Sequence, residues 1–414
     1  MQDTVSGRSF VGFGFGPIQT GLMLAEAVES GSFSRYTVAE VDQGLVDAVR
    51  GSGNSVTINI AGQEGVSARK LPGTMLYNPR VPADRARLVD AIRESEEMAT
   101  AVPSVALYSA GGEASIAAMI AEAATPGRGR IIYTAENDNF AAEKLEASIR
   151  ARAAGGDFRS LQILNTVIGK MSGVISSPAE MRELGLSPLV PGLDRCVLVE
   201  EFNRILVSRI RLPGFIRGIA VFEEKDDLLP FEEAKLYGHN AIHALLGCLA
   251  RLRGHTVMSE IREDPELLDL GRHAFLEESG AALIARHGSG DPDPLFTEAG
   301  WTTYAEDLLR RMTNPWLHDK VERIIRDPVR KLGWNDRFFG TMRAALEQGI
   351  QPKVMALGAA AAVSYALELE KSTAAPRDFL LGLWAGDAAG SDAIREACIE
   401  LVLESLDRLP AWAA

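Results

Sequence analysis

The chain has 414 residues, 46% hydrophobic and 24% charged. These are globular proportions, and at roughly 100–200 residues per domain they suggest two domains, three at most. The balance of 43 Lys and Arg against 56 Asp and Glu gives a formal charge of -13, which opposes the neutralisation of phosphates that nucleic-acid binding requires. Cys196, Cys248 and Cys398 are too scattered for a zinc cluster and too few for a disulfide framework. The opening lacks the basic start and apolar core of a secretory signal, and no stretch approaches ~20 apolar residues. The expectation is a cytoplasmic protein with no membrane partner and no metal, a monomer or homodimer.

In chain order, Ser9–Phe13 is a short apolar run, Gly14-Phe15-Gly16-Pro17 breaks it, Ile18–Val28 carries helical spacing, and Tyr36–Val41 resumes strand character. That is the first half of a parallel βαβ unit. Ser55–Ile60, Ala101–Tyr108 and Arg130–Thr134 read as further strands, alternating with helical stretches at Ala83–Glu94 and Gly112–Ala124. From about Pro230 the pattern changes to long helices: Phe231–Leu252, Asp264–Arg286, Tyr304–Arg311, Trp334–Gln348 and Lys353–Leu369. The predicted architecture is an N-terminal α/β domain with a doubly wound, Rossmann-type sheet (1–205), followed by a mostly helical substrate domain (206–414).

The strand-to-helix turn is where a dinucleotide would sit, because its backbone can approach a pyrophosphate at a helix N-terminus. Gly14 and Gly16 match the first two glycines of that motif, and Pro17 and Ile18 open the helix. Gln19 occupies the third glycine's place, so Gly21 must supply any close helix-to-strand packing. An ordinary tight turn would share these residues. Glu40 ends the second strand, where a carboxylate would bond the adenosine ribose hydroxyls. With Asp42 beside it and no arginine following directly, NAD is favoured over NADP; the other reading is a solvated acid at a strand end.

Within Phe231–His243, polar side chains gather on one side. At ~100° per residue, Lys235, His239, His243 and Asn240 fall at about 0°, 40°, 80° and 140°. A solvated helix face would also be polar, but no Glu→Lys surface ladder accompanies this stripe.

The pattern Lys235-x4-Asn240-x2-His243, continued by Leu245–His255, resembles the signature helix of the polyol-specific long-chain dehydrogenases, the mannitol dehydrogenase family. Similarity extends to Val38–Gln43, to Thr100-Ala101-Val102 near the cofactor and to Ala135-Glu136-Asn137. Asn314-Pro315, Arg326–Leu332 and Asp336-Arg337 resemble the family's phosphate-polyol branch. The resemblance implies metal-free hydride transfer with NAD and a hexitol phosphate as substrate, mannitol 1-phosphate to fructose 6-phosphate, reversibly. It implies Lys235 as general base, Asn137 and Asn240 as donors to the developing alkoxide, and His243 as a substrate holder with His239 nearby. Glu232 or Glu233 would carry protons between Lys235 and solvent, or are simply helix N-terminal acids.

Where the family carries an Asp-Arg pair this chain has Gly169-Lys170, so the guanidinium that discriminates substrates by geometry is absent. For an anionic group the candidates are Lys170, Arg326, Arg330, Lys331 and Arg337, against surface pairing with Asp319, Glu322, Asp327 and Asp336. An unphosphorylated polyol or a sugar acid is therefore the alternative substrate, and a non-catalytic NAD-binding sensor the alternative of another class.

Overall fold

The structure is a computed structural model that describes residues 7–124, 127–153, 156–387 and 392–412. Residues 1–6, which open the stretch read as lacking a secretory signal, lie outside them. The chain divides into two compact units, the first ending at Leu229 and the second starting at Pro230.

The first unit contains the strands β1 (Ser9–Phe13), β2 (Arg35–Ala39), β3 (Val56–Ala61), β4 (Val66–Leu71), β5 (Thr74–Tyr77), β6 (Glu97–Thr100), β7 (Arg130–Thr134), β8 (Leu161–Val167), β9 (Ser172–Ile175), β10 (Cys196–Glu200), β11 (Leu206–Ser208) and β12 (Glu223–Lys225). Eight form one sheet in the order β12-β11-β8-β7-β6-β1-β2-β5, parallel except where β11 meets β8. Its middle, β5-β2-β1-β6-β7-β8, is the doubly wound order expected, with the switch point beside β1. Both faces are covered, which is why the strands are apolar on both sides. Phe10, Ile131 and Tyr133 enter one core with Leu22 and Val38, while Val11, Phe13 and Ile132 enter the other with Leu88, Ile92 and Leu145. Because β11 and β12 extend this sheet, it reaches past residue 205, where the sequence pattern placed the domain's end.

Two sequence expectations need correction. The run read as strand Ser55–Ile60 does form β3, but in a separate four-stranded sheet of order β4-β3-β10-β9, antiparallel to β4 and parallel to β10. Ala101–Tyr108 is not a strand. The strand is the preceding Glu97–Thr100, and Pro103 then interrupts the run, leaving Ser104 to cap a 3-10 turn by accepting the Ala106 N–H at 3.2 Å.

The second unit is helical among its described residues. Its long helices run Ala241–Leu252, Pro265–His273, Glu298–Met312, Arg337–Glu347, Lys353–Glu370 and Asp392–Leu406. Trp301 stands edge-on to Phe275, and its indole N–H donates to the Phe275 carbonyl at 2.8 Å; Trp384 packs on Phe339 and donates to Leu332 at 2.9 Å. No helix among the described residues is long and apolar enough to cross a membrane.

Candidate functional site

In the first unit, the expected cofactor residues meet at the C-terminal edge of the sheet. Gly14 closes onto both neighbouring strands: its N–H donates to the Ala39 carbonyl at 2.9 Å, and its φ of 84° is one that glycine adopts without strain. A Cβ there would lie 2.7 Å from the Ala101 carbonyl oxygen. A Cβ on Gly16 would meet nothing of the protein within 4 Å, so this glycine leaves space rather than relieving a clash. Open backbone followed by Pro17 and Ile18 at the helix start fits a dinucleotide's pyrophosphate. Gly21 does the close packing anticipated for it, since its Cβ would fall 2.3 Å from Val199 Cγ1. Gln19 fills the third glycine's place with a fully buried amide lying against Gly12.

Glu40 follows β2, with its N–H on the Tyr77 carbonyl, and its carboxylate accepts the N–H groups of Val41 (2.7 Å) and Asp42 (2.8 Å). Those bonds fix one oxygen, Oε1, at the strand end. Ala101 is partly open, but Thr100 is fully buried and its hydroxyl donates to Glu136 at 2.8 Å. Glu136 also accepts the Val102 N–H at 2.9 Å and the Tyr108 hydroxyl, so one buried carboxylate shapes the whole 101–108 loop. Burial, then the Glu136 charge, pushes the Tyr108 phenol far above its ordinary range. Sequence reading paired Glu136 with Asn137 yet gave it no role; its place directly after a strand end was the available signal. Asn137 is exposed at the same edge, and Lys170 is buried, donating to the Phe202 carbonyl at 2.7 Å.

In the second unit the polar stripe begins on a π-helical turn, Ala234–Asn240, and continues into the α-helix Ala241–Leu252, which carries His243. The turn is braced at Tyr237, whose carbonyl accepts from both Ser279 (2.8 Å) and Thr341 (3.1 Å), while Gly340 makes room for its ring. Lys235 is half-buried there, and Asn240 sits at the end of the turn. Burial, with the Arg337 guanidinium adding to it and Glu232 opposing, brings Lys235 from 10.5 down to about 8. Glu233 is engaged elsewhere, by Arg286 at 3.1 Å and His287 at 2.7 Å, which leaves Glu232 as the acid that Lys235 senses.

His239 and His243 are buried, their rings 6.0 Å apart. Burial, then the neighbouring side chains of His243, Arg311, Lys235 and Arg337, lowers His239 well below the usual imidazole range. His243 Nε2 lies 3.3 Å from Asp319 Oδ2. Burial alone would raise Asp319, but His243 and Arg323 outweigh it and hold the carboxyl below its usual value. Asp319 appeared in the sequence only as a surface-pairing candidate; no local pattern showed that it faces His243.

The expected cation cluster divides. Lys331 and Arg337 are buried, and burial together with Arg337 and Arg330 lowers Lys331 to about 8, with Cys248 and Asp327 acting the other way. Arg326 and Arg330 are exposed, pairing with Asp327 (3.7 Å) and Asp336 (3.5 Å). They line a separate concavity of ≈ 930 Å³ with Lys320, Arg323 and Tyr365, which none of Lys235, His239, His243, Lys331 and Arg337 joins.

A family model described as mannitol dehydrogenase C-terminal domain matches residues 227–400. Two solved structures share the fold over nearly the whole length. The Pseudomonas fluorescens mannitol 2-dehydrogenase, in a ternary complex with NAD and D-mannitol, is 16% identical, with 99% of this chain and 95% of that one covered and a TM-score of 0.71. A D-sorbitol dehydrogenase in substrate-free form is 14% identical, with 100% and 96% covered and a TM-score of 0.74.

Proposed function

We propose that this protein is an NAD-dependent oxidoreductase that interconverts a secondary alcohol of a polyol and the corresponding ketone, with Lys235 as its general base. The observation that carries this reading is the half-buried Lys235, held near neutral range at about 8 on a braced π turn beside Asn240, His239 and His243. A sensor has no need of such a base. The match of residues 227–400 to the mannitol dehydrogenase C-terminal model and the shared fold support the substrate class, and the glycine turn with Glu40 supports NAD.

In oxidation, Lys235 Nζ takes the hydroxyl proton and Glu232 passes it toward solvent. Asn240 donates to the oxygen as charge builds on it. Bound NAD supplies the hydride acceptor. His243 holds a neighbouring hydroxyl.

The substrate's far end we assign to an anionic group, as in a hexitol phosphate such as mannitol 1-phosphate. Lys331 and Arg337 are buried cations, burial with Arg337 and Arg330 beside it disfavours the Lys331 ammonium, and an anion relieves that repulsion. The second reading is an unphosphorylated polyol or a sugar acid. It is favoured by the exposure of Arg326 and Arg330, which leaves fewer cations for a phosphate than the sequence suggested.

The test is formation of reduced nicotinamide, followed by absorbance, over mannitol 1-phosphate, mannitol, sorbitol and mannonate. Turnover with a polyol or polyol derivative is expected, fastest for the phosphate. No turnover with any of them, despite bound NADH, would replace this reading with the sensor; a faster free polyol or mannonate would move the assignment to the second reading.

A further inference from the structure

The sequence gives His243 a neighbour that no local pattern reveals. Asp319 arrives from a loop whose backbone is fixed on both sides: the Met258 N–H donates to its carbonyl at 2.8 Å, Val257 and Lys320 form an antiparallel bridge, and the Val321 N–H donates to Thr256 at 2.9 Å. His318 before it adopts a left-handed φ of 50°, which turns the chain inward. The Asp319 side chain is only 1% exposed.

The two carboxylate oxygens have different neighbours. Oδ1 accepts from Arg323, with Nε at 2.8 Å and Nη2 at 2.6 Å. Oδ2 has no hydrogen-bond partner among the described residues, and neither has His243 Nε2, the atom 3.3 Å away from it. A carboxylate oxygen is acceptor-only when ionised, and His243 together with Arg323 holds this carboxyl below its usual range. An imidazole nitrogen facing it is compatible only with Nε2–H. In the neutral ring the other nitrogen, Nδ1, then carries the lone pair.

We infer that Asp319 is a positioning residue for His243, holding the imidazole in its Nε2–H form so that Nδ1 is presented as a hydrogen-bond acceptor to a substrate hydroxyl, with Arg323 deciding which carboxylate oxygen faces the ring. This rests on the proposal that His243 contacts substrate. It adds a selectivity: an acceptor at Nδ1 recognises a hydroxyl and is unsatisfied by a ketone or a methylene at the same position.

Asp319→Asn preserves the shape and inverts the chemistry. With its amide oxygen kept by Arg323, its NH2 faces Nε2 and forces the proton to Nδ1. The expected result is kcat/KM lowered about 10–100-fold, the usual worth of an outer partner of a functional histidine, with NADH affinity and Tm close to wild type. His243→Ala and the double variant should then be equal within about twofold. Multiplicative losses, or a fully active Asp319→Asn beside a crippled His243→Ala, would overturn this inference alone. Full activity of His243→Ala would instead remove the reading it rests on. Nitrogen-15 histidine spectra of the wild-type protein, with the His243 signal identified by its loss in His243→Ala, do not depend on the Asn variant folding: an Nε2–H signal is expected, and Nδ1–H would overturn the proposal.

Discussion

With Lys235 as the proposed base, the pH dependence of oxidation is set by its burial and tuned by two charges beside it that can be removed one at a time. Lys235 must be neutral to accept the hydroxyl proton, so kcat/KM for oxidation rises with pH up to about 8 and levels above it, while reduction, which needs the ammonium, falls through the same range. The descent from 10.5 to about 8 corresponds to roughly 3 kcal/mol. Burial is the largest cause and Arg337 the second, so Arg337 supplies less than half of the lowering. Arg337→Gln removes a charge that disfavours the ammonium, which moves the limb upward and cuts the neutral fraction at pH 7 about tenfold for each pH unit moved. Glu232→Gln removes a charge that favours the ammonium, so its limb moves the other way. The assay is the initial rate of reduced-nicotinamide formation between pH 6 and 10 on an unphosphorylated polyol, so that lost anion contacts do not enter. A wild-type limb near 10.5, or two variants whose limbs move in the same direction, would refute the reasoning.

Gly21→Ala should lower Tm, because its new Cβ meets Val199 Cγ1 at 2.3 Å and overpacking of this kind costs roughly 1–3 kcal/mol, readable by thermal unfolding. Glu40→Ser combined with Val41→Arg should narrow the preference for NAD over NADP by removing repulsion and adding a phosphate partner, as measured by kcat/KM for each cofactor. Lys331→Ala should shrink the advantage of mannitol 1-phosphate over mannitol about tenfold to a hundredfold, the worth of one charge-assisted hydrogen bond of ~1.5–3 kcal/mol, whereas Arg330→Ala should leave it nearly unchanged.

What could be read along the chain was what depends on local spacing. The β1 run, the glycine turn and Arg130–Thr134 were legible because a buried parallel strand is apolar throughout and a tight turn needs glycine at a positive φ, as Gly14 shows. The Lys235 stripe was legible because a helix repeats its face. Ala101–Tyr108 misled because apolar residues there serve a loop whose shape is set by Glu136, 28 or more residues downstream. The helix carrying Lys235 looked regular in sequence, while the bonds that brace its π turn come from Ser279 and Thr341. Arg326, Arg330, Lys331 and Arg337 looked like one cluster, but the short helix Pro328–Lys331 turns Arg330 outward and Lys331 inward. The partnership of Asp319 and His243 spans 76 positions, a distance at which no periodicity speaks.

Lys235→Ala tests the account at its centre. With a polyol substrate and saturating NAD, the rate of reduced-nicotinamide formation should fall by at least ~10²–10⁴-fold, the contribution of a positioned base, while NADH titration by fluorescence gives an affinity close to wild type. Near-normal turnover in that variant, with the cofactor bound as before, would contradict the assignment of Lys235 as the base.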